Sequence, residues 1–262
     1  MSSTLQPSGE ALLPLARAAA EAIMAVYGTA FSARTKADRS PVTDADEAAE
    51  AVILRGLATL TPDIPVVAEE QVARGHAPQI EGEQFWLVDP LDGTREFIDR
   101  NGEFTVNIAL VRQGIPVLGV VLAPATGDAW LGAVGIGAWR FNGVKDTKGQ
   151  TIRARRVPAV APMVLISRNH RDAQIDGWLK QQVMPQTCTV GSSLKFCRIA
   201  EGAADLYPRF ASISEWDTAA GQAVLEAAGG GVLTWDGERI GAPLRYGKVA
   251  FRNPGFLARG AP

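Results

Sequence analysis

Between residues 8 and 27 the chain reads SGEALLPLARAAAEAIMAVY, with apolar residues every three or four positions and Glu10, Arg17 and Glu21 breaking in at helical spacing. That period predicts an amphipathic helix. A second helix is expected over about 44–60, DADEAAEAVILRGLATL. The period then shortens. PVVA (65–68), FWLV (85–88), FTVNIALV (104–111), PVLGVVLA (116–123) and AWLGAV (129–134) are short apolar runs rich in β-branched and aromatic residues, and they predict strands. Helices are thus followed by a mostly antiparallel sheet. Beyond residue 162 the pattern alternates instead: VLIS, a helix near 172–182, a short strand near 187–190, a helix from about 192, DLYP, a helix from about 217, and GVLTW.

The joint between the two patterns is NGVKDTKGQTIRARRVPAVAP (142–162), polar and basic and then punctuated by proline. It divides the chain into an N-terminal α+β unit, 1–155, and a C-terminal α/β unit, 156–262. Val117 to Ala138 carries a single charge, Asp128, yet Pro124, Thr126, Gly127 and Asp128 form a turn cluster that splits it into a hairpin, so no membrane span is expected. The N-terminus has no basic leader region. Gly135-Ile-Gly137-Ala-Trp-Arg140 imitates the start of a dinucleotide fingerprint, but arginine stands at the third glycine position and no helical pattern follows.

Composition removes further classes. With 262 residues and 47% hydrophobic content the chain can bury a sizeable core. Lys+Arg 26 against Asp+Glu 28, without a long basic run, argues against a nucleic-acid partner. Two cysteines and two histidines are too few at ligand spacing for a zinc site, so Cys188 and Cys197 are expected to be reduced, packed thiols of a cytosolic protein.

The acidic residues change the picture. Glu69 and Glu70 follow PVVA, Asp89 and Asp92 follow FWLV, Asp46 opens the helix after SPVT, and Asp217 opens the helix at Trp216. If these six converge, each pair about 4 Å apart repels by roughly 4 kcal/mol at an effective dielectric of about 20. Such a site requires cations or protons. An all-oxygen set favours a hard ion, Mg²⁺ first, with Mn²⁺ open. The Leu91 carbonyl, between the two aspartates, is a natural extra ligand. Each acid also has a bland alternative: a capping box from Thr43 to Asp46, a helix-terminal preference for Asp217, and plain turns at Glu69-Glu70 and at Asp89-Pro-Leu-Asp92-Gly.

Read together, Asp46, Glu69-Glu70, DPLDGT (89–94) and Trp216-Asp217 resemble the signature of the Mg²⁺-dependent, lithium-sensitive phosphomonoesterases that include inositol monophosphatase and fructose-1,6-bisphosphatase. KADRSPVTDAD (36–46), EFTVNIAL (103–110), SRNHRDA (167–173), GSSLKFCRIAEG (191–202), LYPRF (206–210) and WDTAAGQAVLEAAGG (216–230) are most similar to that family's bisphosphate nucleotidase branch. The stretch departs from the family at Ala68, where serine is frequent, and over QVARGHAPQI (71–80).

The resemblance implies an α+β chain of layered αβαβα sandwich type, with the site between the two units. It implies two or three Mg²⁺ ions held by Glu69, Asp89, the Leu91 carbonyl, Asp92 and Asp217. Asp46, Glu70 and Thr94 would surround the attacking water. The substrate would lie against Leu91, Asp92, Gly93, Thr94 and Asp217 on the reacting side. Ser167, His170, Gly191, Ser192, Ser193, Lys195 and Arg209 would hold the remainder, with Lys195 gripping a second phosphate; its bland alternative is a solvated helix lysine. The implied reaction is hydrolysis of 3′-phosphoadenosine 5′-phosphate to AMP and phosphate, serving sulfate assimilation. An inositol phosphate or sugar phosphate substrate, or a silent metal-binding regulatory module, remains as the alternative. A cytoplasmic location follows, with contact to the inner membrane and a homodimer left open.

Overall fold

The structure is a computed structural model that describes residues 9–36, 40–80, 82–168 and 173–262. Seven helices order the description: α1 Gly9–Tyr27, α2 Asp44–Leu60, α3 Glu69–Ala73, α4 Thr94–Ile98, α5 Ala173–Leu179, α6 Leu194–Ala200 and α7 Trp216–Ala227. The two long N-terminal helices lie where the period placed them. α1 buries Leu12, Ala16, Ala19 and Ile23, and α2 buries Ala45, Ala49, Ile53 and Leu57. Spacings of three and four put each set on one face.

Both sets pack on a seven-stranded sheet formed by the strands 66–68, 84–92, 105–112, 115–123, 128–133, 137–141 and 150–151, in that order. Val66–Ala68 runs parallel to its neighbour and all the other pairs are antiparallel. Successive residues of FWLV serve opposite faces: Trp86 and Val88 join α1 and α2, whereas Phe85 and Leu87 join the core on the other side. That double burial explains why these strands read as unbroken apolar runs.

On the far face the core is completed by α6 and α7. Gly119 and Gly132 are direct partners on adjacent strands, and they admit α7. A Cβ at Gly132 would stand 2.4 Å from the Val224 Cα, and one at Gly119 would stand 2.7 Å from the Ala220 carbonyl oxygen. The same core reaches a mixed six-stranded sheet, in the order 186–189, 163–166, 206–209, 256–259, 231–235, 240–243. α5, with Ile175, Trp178 and Leu179, covers that sheet's outer face. The layers are therefore helix, sheet, helix, sheet, helix.

One expectation, that of two packed thiols, needs adjustment, and the readings of the glycine motif and of Val117 to Ala138 hold. The segment 134–141 is a hairpin: Asp128–Ala133 pairs with Gly137–Phe141 through a turn in which Gly135 has φ 82°, so the dinucleotide-like glycines serve a β-turn. Cys197 is buried, but Cys188 is exposed, because Gln186–Thr189 is the outermost strand of its sheet. Val117 to Ala138 does form antiparallel strands, and no helix among the described residues is long and apolar enough to cross a membrane.

Candidate metal and active site

The strand Gln84–Asp92 ends in the two aspartates. Side chains three positions apart on a regular strand face opposite ways. Here Asp89 pairs with Asn107 and Asp92 with Thr105, so three steps on one strand oppose two on the other. This bulge re-aims the strand end, as bulges beside functional sites do. The Leu91 amide donates to Asp89 Oδ1 at 3.0 Å and tightens the bend. Gly93 then turns the chain with φ 91°. A Cβ there would lie 3.2 Å from the Glu103 carbonyl oxygen, so both the conformation and the space favour glycine.

Two further elements deliver acids to this edge. Val66–Ala68 pairs in parallel with Trp86–Val88, which sets Glu69 at the start of α3 beside Asp89 at the next rung. Ala68 caps α3 without a side-chain bond. The buried carboxylate of Glu50 does so from α2 instead, accepting the Glu70 amide at 2.9 Å and the Gln71 amide at 3.4 Å. Asp217, the second residue of α7, comes from the opposite side. Glu69, Asp89 and Asp217 each present a carboxylate oxygen within 4.8 Å of the others.

That triad fits a hard divalent cation. Oxygens on opposite sides of an ion with ligand distances of about 2.0–2.6 Å lie about 4–5 Å apart, and the group includes neither nitrogen nor sulfur. Burial pushes the Asp89 carboxyl well above the usual carboxylate range, and the charges of Glu69, Asp92 and Asp217 push it further. Burial does the same to Asp217, reinforced by Asp92 and Glu69. The site is short of positive charge. On the glutamate side the cation is Lys36, whose Nζ lies 2.7 Å from Glu69 Oε1 and 2.5 Å from Glu70 Oε1. Burial works against that ammonium, but the two glutamates outweigh it and hold it above the ordinary lysine value.

Asp46 answers both of its readings. Its Oδ2 accepts the Thr43 amide at 2.7 Å and the Thr43 hydroxyl at 2.8 Å, completing a capping box. Its Oδ1 faces the other way and takes the Thr94 hydroxyl at 3.3 Å, while the Leu91 carbonyl lies 3.4 Å from the same hydroxyl. Burial pushes the Asp46 carboxyl up to about 6 against the opposing Thr43 bonds.

A cavity of about 250 Å³ opens over this group, and its walls include Glu69, Asp92, Gly93, Thr94, Ser167, Ser192, Lys195, Arg209 and Asp217. Most of the residues expected from the sequence thus meet at one place. Lys195 is buried rather than solvated, with Nζ donating to the Ser192 carbonyl at 2.7 Å and to the Val190 carbonyl at 3.0 Å. Burial lowers its ammonium to about 8, with Asp92 opposing. Arg209 is buried as well, and its Nε finds no acceptor among the described residues.

Gly191 and Ser193 are placed differently. The Gly191 amide donates to Glu103 Oε2 at 2.9 Å, and a Cβ would meet Glu103 at 2.8 Å. Ser193 is buried against Asp92, away from the cavity wall. His170 lies outside the described residues. Among the residues missed are Lys36, Glu50, Asn107 and Arg95, the last of which lines the cavity. Glu50 carried a signal, since it lies four residues after Asp46 on the same helix face.

Comparisons with known proteins show the chain's relatives. The sequence model of the inositol monophosphatase family matches residues 5–260. The chain is 51% identical over 245 residues to the 3′(2′),5′-bisphosphate nucleotidase CysQ of Escherichia coli K12, covering 92% of this chain and 95% of that one. It is 41% identical over 246 residues to the CysQ nucleotidase of Buchnera aphidicola, covering 93% and 90%. Among solved structures, CysQ from Bacteroides thetaiotaomicron superposes with a TM-score of 0.79 at 33% identity over 100% of both chains. An inositol monophosphatase from Anabaena superposes at 0.73 with 26% identity, over 95% of this chain and 90% of that one.

Proposed function

The chain belongs to the inositol monophosphatase family, and we propose that it is a Mg²⁺-dependent phosphomonoesterase that hydrolyses 3′-phosphoadenosine 5′-phosphate to AMP and inorganic phosphate. The observation that carries the reading is the Glu69–Asp89–Asp217 triad together with the Asp46–Thr94 pair, with Glu69, Thr94 and Asp217 on the wall of one cavity, in a chain 51% identical to a bisphosphate nucleotidase. A cytoplasmic place in sulfate assimilation belongs to the same proposal.

Glu69, Asp89 and Asp217, with Asp92 and the Leu91 carbonyl, would hold the ions. When bound, Mg²⁺ supplies Lewis-acid stabilisation of the charge that develops on the phosphoryl oxygens and lowers the pKa of water. The remaining work falls to the chain. Thr94 Oγ can donate its proton to Asp46 Oδ1 while accepting one from the attacking water, so the two residues move a proton away from the nucleophile. Thr43 holds the Asp46 carboxylate still during that transfer. A proton acceptor at about 6 suits general-base work near neutral pH. Glu70, buried and paired with Lys36, adds negative charge beside the same group.

Lys195, Arg209, Ser192 and Ser167 supply the binding side. An ammonium has three donors, and Lys195 has two on the carbonyls of Val190 and Ser192. The third would go to a non-reacting phosphate, with the Tyr207 ring 5.0 Å from the same ammonium. Loss of such a charge-assisted bond costs about 1.5–3 kcal/mol, or roughly 10- to 150-fold at about 1.4 kcal/mol per decade. Lys195→Ala should therefore lower kcat/KM for the bisphosphate nucleotide by at least that factor beyond its effect on inositol 1-phosphate, since loss of the bonds to Val190 and Ser192 loosens the turn for both substrates alike. The assay is phosphate release from both substrates in Mg²⁺ and in EDTA. Inositol 1-phosphate as the better substrate, or full activity in EDTA, would overturn the proposal.

A further inference from the structure

Asp92 stands apart from the triad formed by Glu69, Asp89 and Asp217, and it is gripped from the other sheet's side of the molecule. Its Oδ2 accepts the Ser193 amide at 2.7 Å and is 3.0 Å from the Ser193 hydroxyl. Behind that serine, Asn107 Nδ2 donates to Ser193 Oγ at 3.0 Å. Ser193 and Asn107 are each 1% exposed, and neither lines the cavity, so neither can touch a substrate held there.

We propose that Ser193, oriented by Asn107, is the positioning residue that holds the Asp92 carboxylate in its ion-binding orientation. The inference rests on the reading of Asp92 as a Mg²⁺ ligand. The physical need is plain. Asp92 sits at the end of a bulged strand, and a buried carboxylate there has a second attraction in the nearby Lys195 ammonium. An amide and a hydroxyl on one oxygen stop the rotation that would carry it toward that lysine. Asn107, the strand partner of Asp89, donates to Ser193 and also bonds the Asp92 carboxylate itself, so a single β-rung supports both aspartates.

The hydroxyl has one proton and two acceptors, the Asp92 carboxylate at 3.0 Å and the Asp217 carbonyl at 2.8 Å. With the Asn107 amide donating into the same oxygen, the proton must point to one of them. When it holds an ion, Asp92 would be a charged acceptor, which makes the stronger bond, so it takes the proton while the Ser193 amide holds the same oxygen. The turn that presents Ser193 is itself constrained. Ser192 has φ 43°, in the left-handed region that non-glycine residues seldom adopt, and Lys195 spans the turn by bonding the carbonyls on either side of Gly191. The strained turn thus has a purpose: it brings the Ser193 amide and hydroxyl to one carboxylate oxygen.

Residues that orient metal ligands change metal affinity or activity by about 10- to 100-fold when removed. The test is Mg²⁺ titration of the full, metal-stripped chain by calorimetry, with melting in EDTA as the fold control. Ser193→Ala should weaken Mg²⁺ binding by about 10- to 100-fold and Asn107→Ala by a smaller factor, while Ser193→Thr, which keeps the hydroxyl, should stay within about threefold of wild type. Steady-state kinetics should show most of kcat restored by excess Mg²⁺ and KM for the nucleotide little changed. A purely structural serine would lower the melting temperature in EDTA without moving the Mg²⁺ constant, and a substrate-gripping serine would raise KM at an unchanged Mg²⁺ constant; either result overturns the proposal. If Ser193→Ala does not fold, Ser193→Cys, which keeps the volume and replaces the hydroxyl by a weak thiol donor, decides: weaker Mg²⁺ binding supports the assignment and wild-type affinity overturns it. Wild-type protein that binds no Mg²⁺ would instead overturn the metal reading itself, and this proposal with it.

Discussion

Thr94→Val removes one oxygen from the site and keeps the side chain's shape. The hydroxyl stands 3.3 Å from Asp46 Oδ1 and 3.4 Å from the Leu91 carbonyl, both long against the usual O–H···O distance of about 2.7–2.8 Å. Such long contacts contribute little to the resting protein, so stability should change by less than about 1 kcal/mol, the size of an ordinary hydrogen bond. The transition state is another matter. A positioned proton-transfer group contributes about 10²–10⁴ in rate, which is about 2.7–5.4 kcal/mol of barrier at about 1.36 kcal/mol per decade. Thr94→Val should therefore lower kcat by that factor with KM nearly constant, because the hydroxyl's contribution grows only as the water gives up its proton. Thr94→Ser should stay within about tenfold of wild type, since it keeps a hydroxyl at the same position but loses the methyl that limits its rotamers. Phosphate release at saturating Mg²⁺, with thermal melting alongside, measures both quantities. A folded Thr94→Val enzyme with kcat within about threefold of wild type would refute the proton-relay role.

Stability in EDTA should depend on pH through the raised carboxyls. Burial holds Glu50 at about 7 and Asp46 at about 6, and it raises Glu69, Asp89 and Asp217 as well. A carboxyl raised on folding keeps in the native state a proton that the unfolded chain has already released, so its stabilisation is present below the unfolded value of about 4 and lost as pH rises through the folded value. The melting temperature in EDTA should fall between about pH 4 and 7, and the gain on adding Mg²⁺ should grow with rising pH, because the ion replaces the protons held by Glu69, Asp89 and Asp217. A flat or rising EDTA profile would contradict this. Gly132→Ala should destabilise the fold by about 1–3 kcal/mol or more, the range for overpacking, since its Cβ would fall 2.4 Å from the α7 backbone. Urea denaturation measures that loss, and wild-type stability would show that α7 can move away freely.

The local elements were legible along the chain. Residues 44–60 carry a helical period, a Thr43 cap and an acid at the third helical position, and the helix Asp44–Leu60 follows from short-range physics alone. FWLV and its neighbours announced the strands of a mostly antiparallel sheet, and the acid, Glu-Glu, DPLDGT and Trp-Asp order pointed to phosphate chemistry before any contact was known. The pattern could not show which end of each side chain faced what. Asp46 looked like either a cap or a catalytic acid, and only the packing of α2 beside the turn at Leu91 shows one oxygen on Thr43 and the other on Thr94. Ser193 and Lys195 sat in a motif that suggested substrate contacts. The fold turns Ser193 toward Asp92, 101 residues away along the chain, and anchors two of the lysine's donors on backbone carbonyls. Lys36 and Glu50 act on Glu69 and Glu70 from 20 to 34 residues away, across strands and helices whose register sets the distance. Propensity, capping and periodicity act over a few residues and are written locally. A carboxylate's second oxygen, a lysine's third donor and the charge that surrounds an acid depend on groups brought together by the core, and those only the tertiary structure decided.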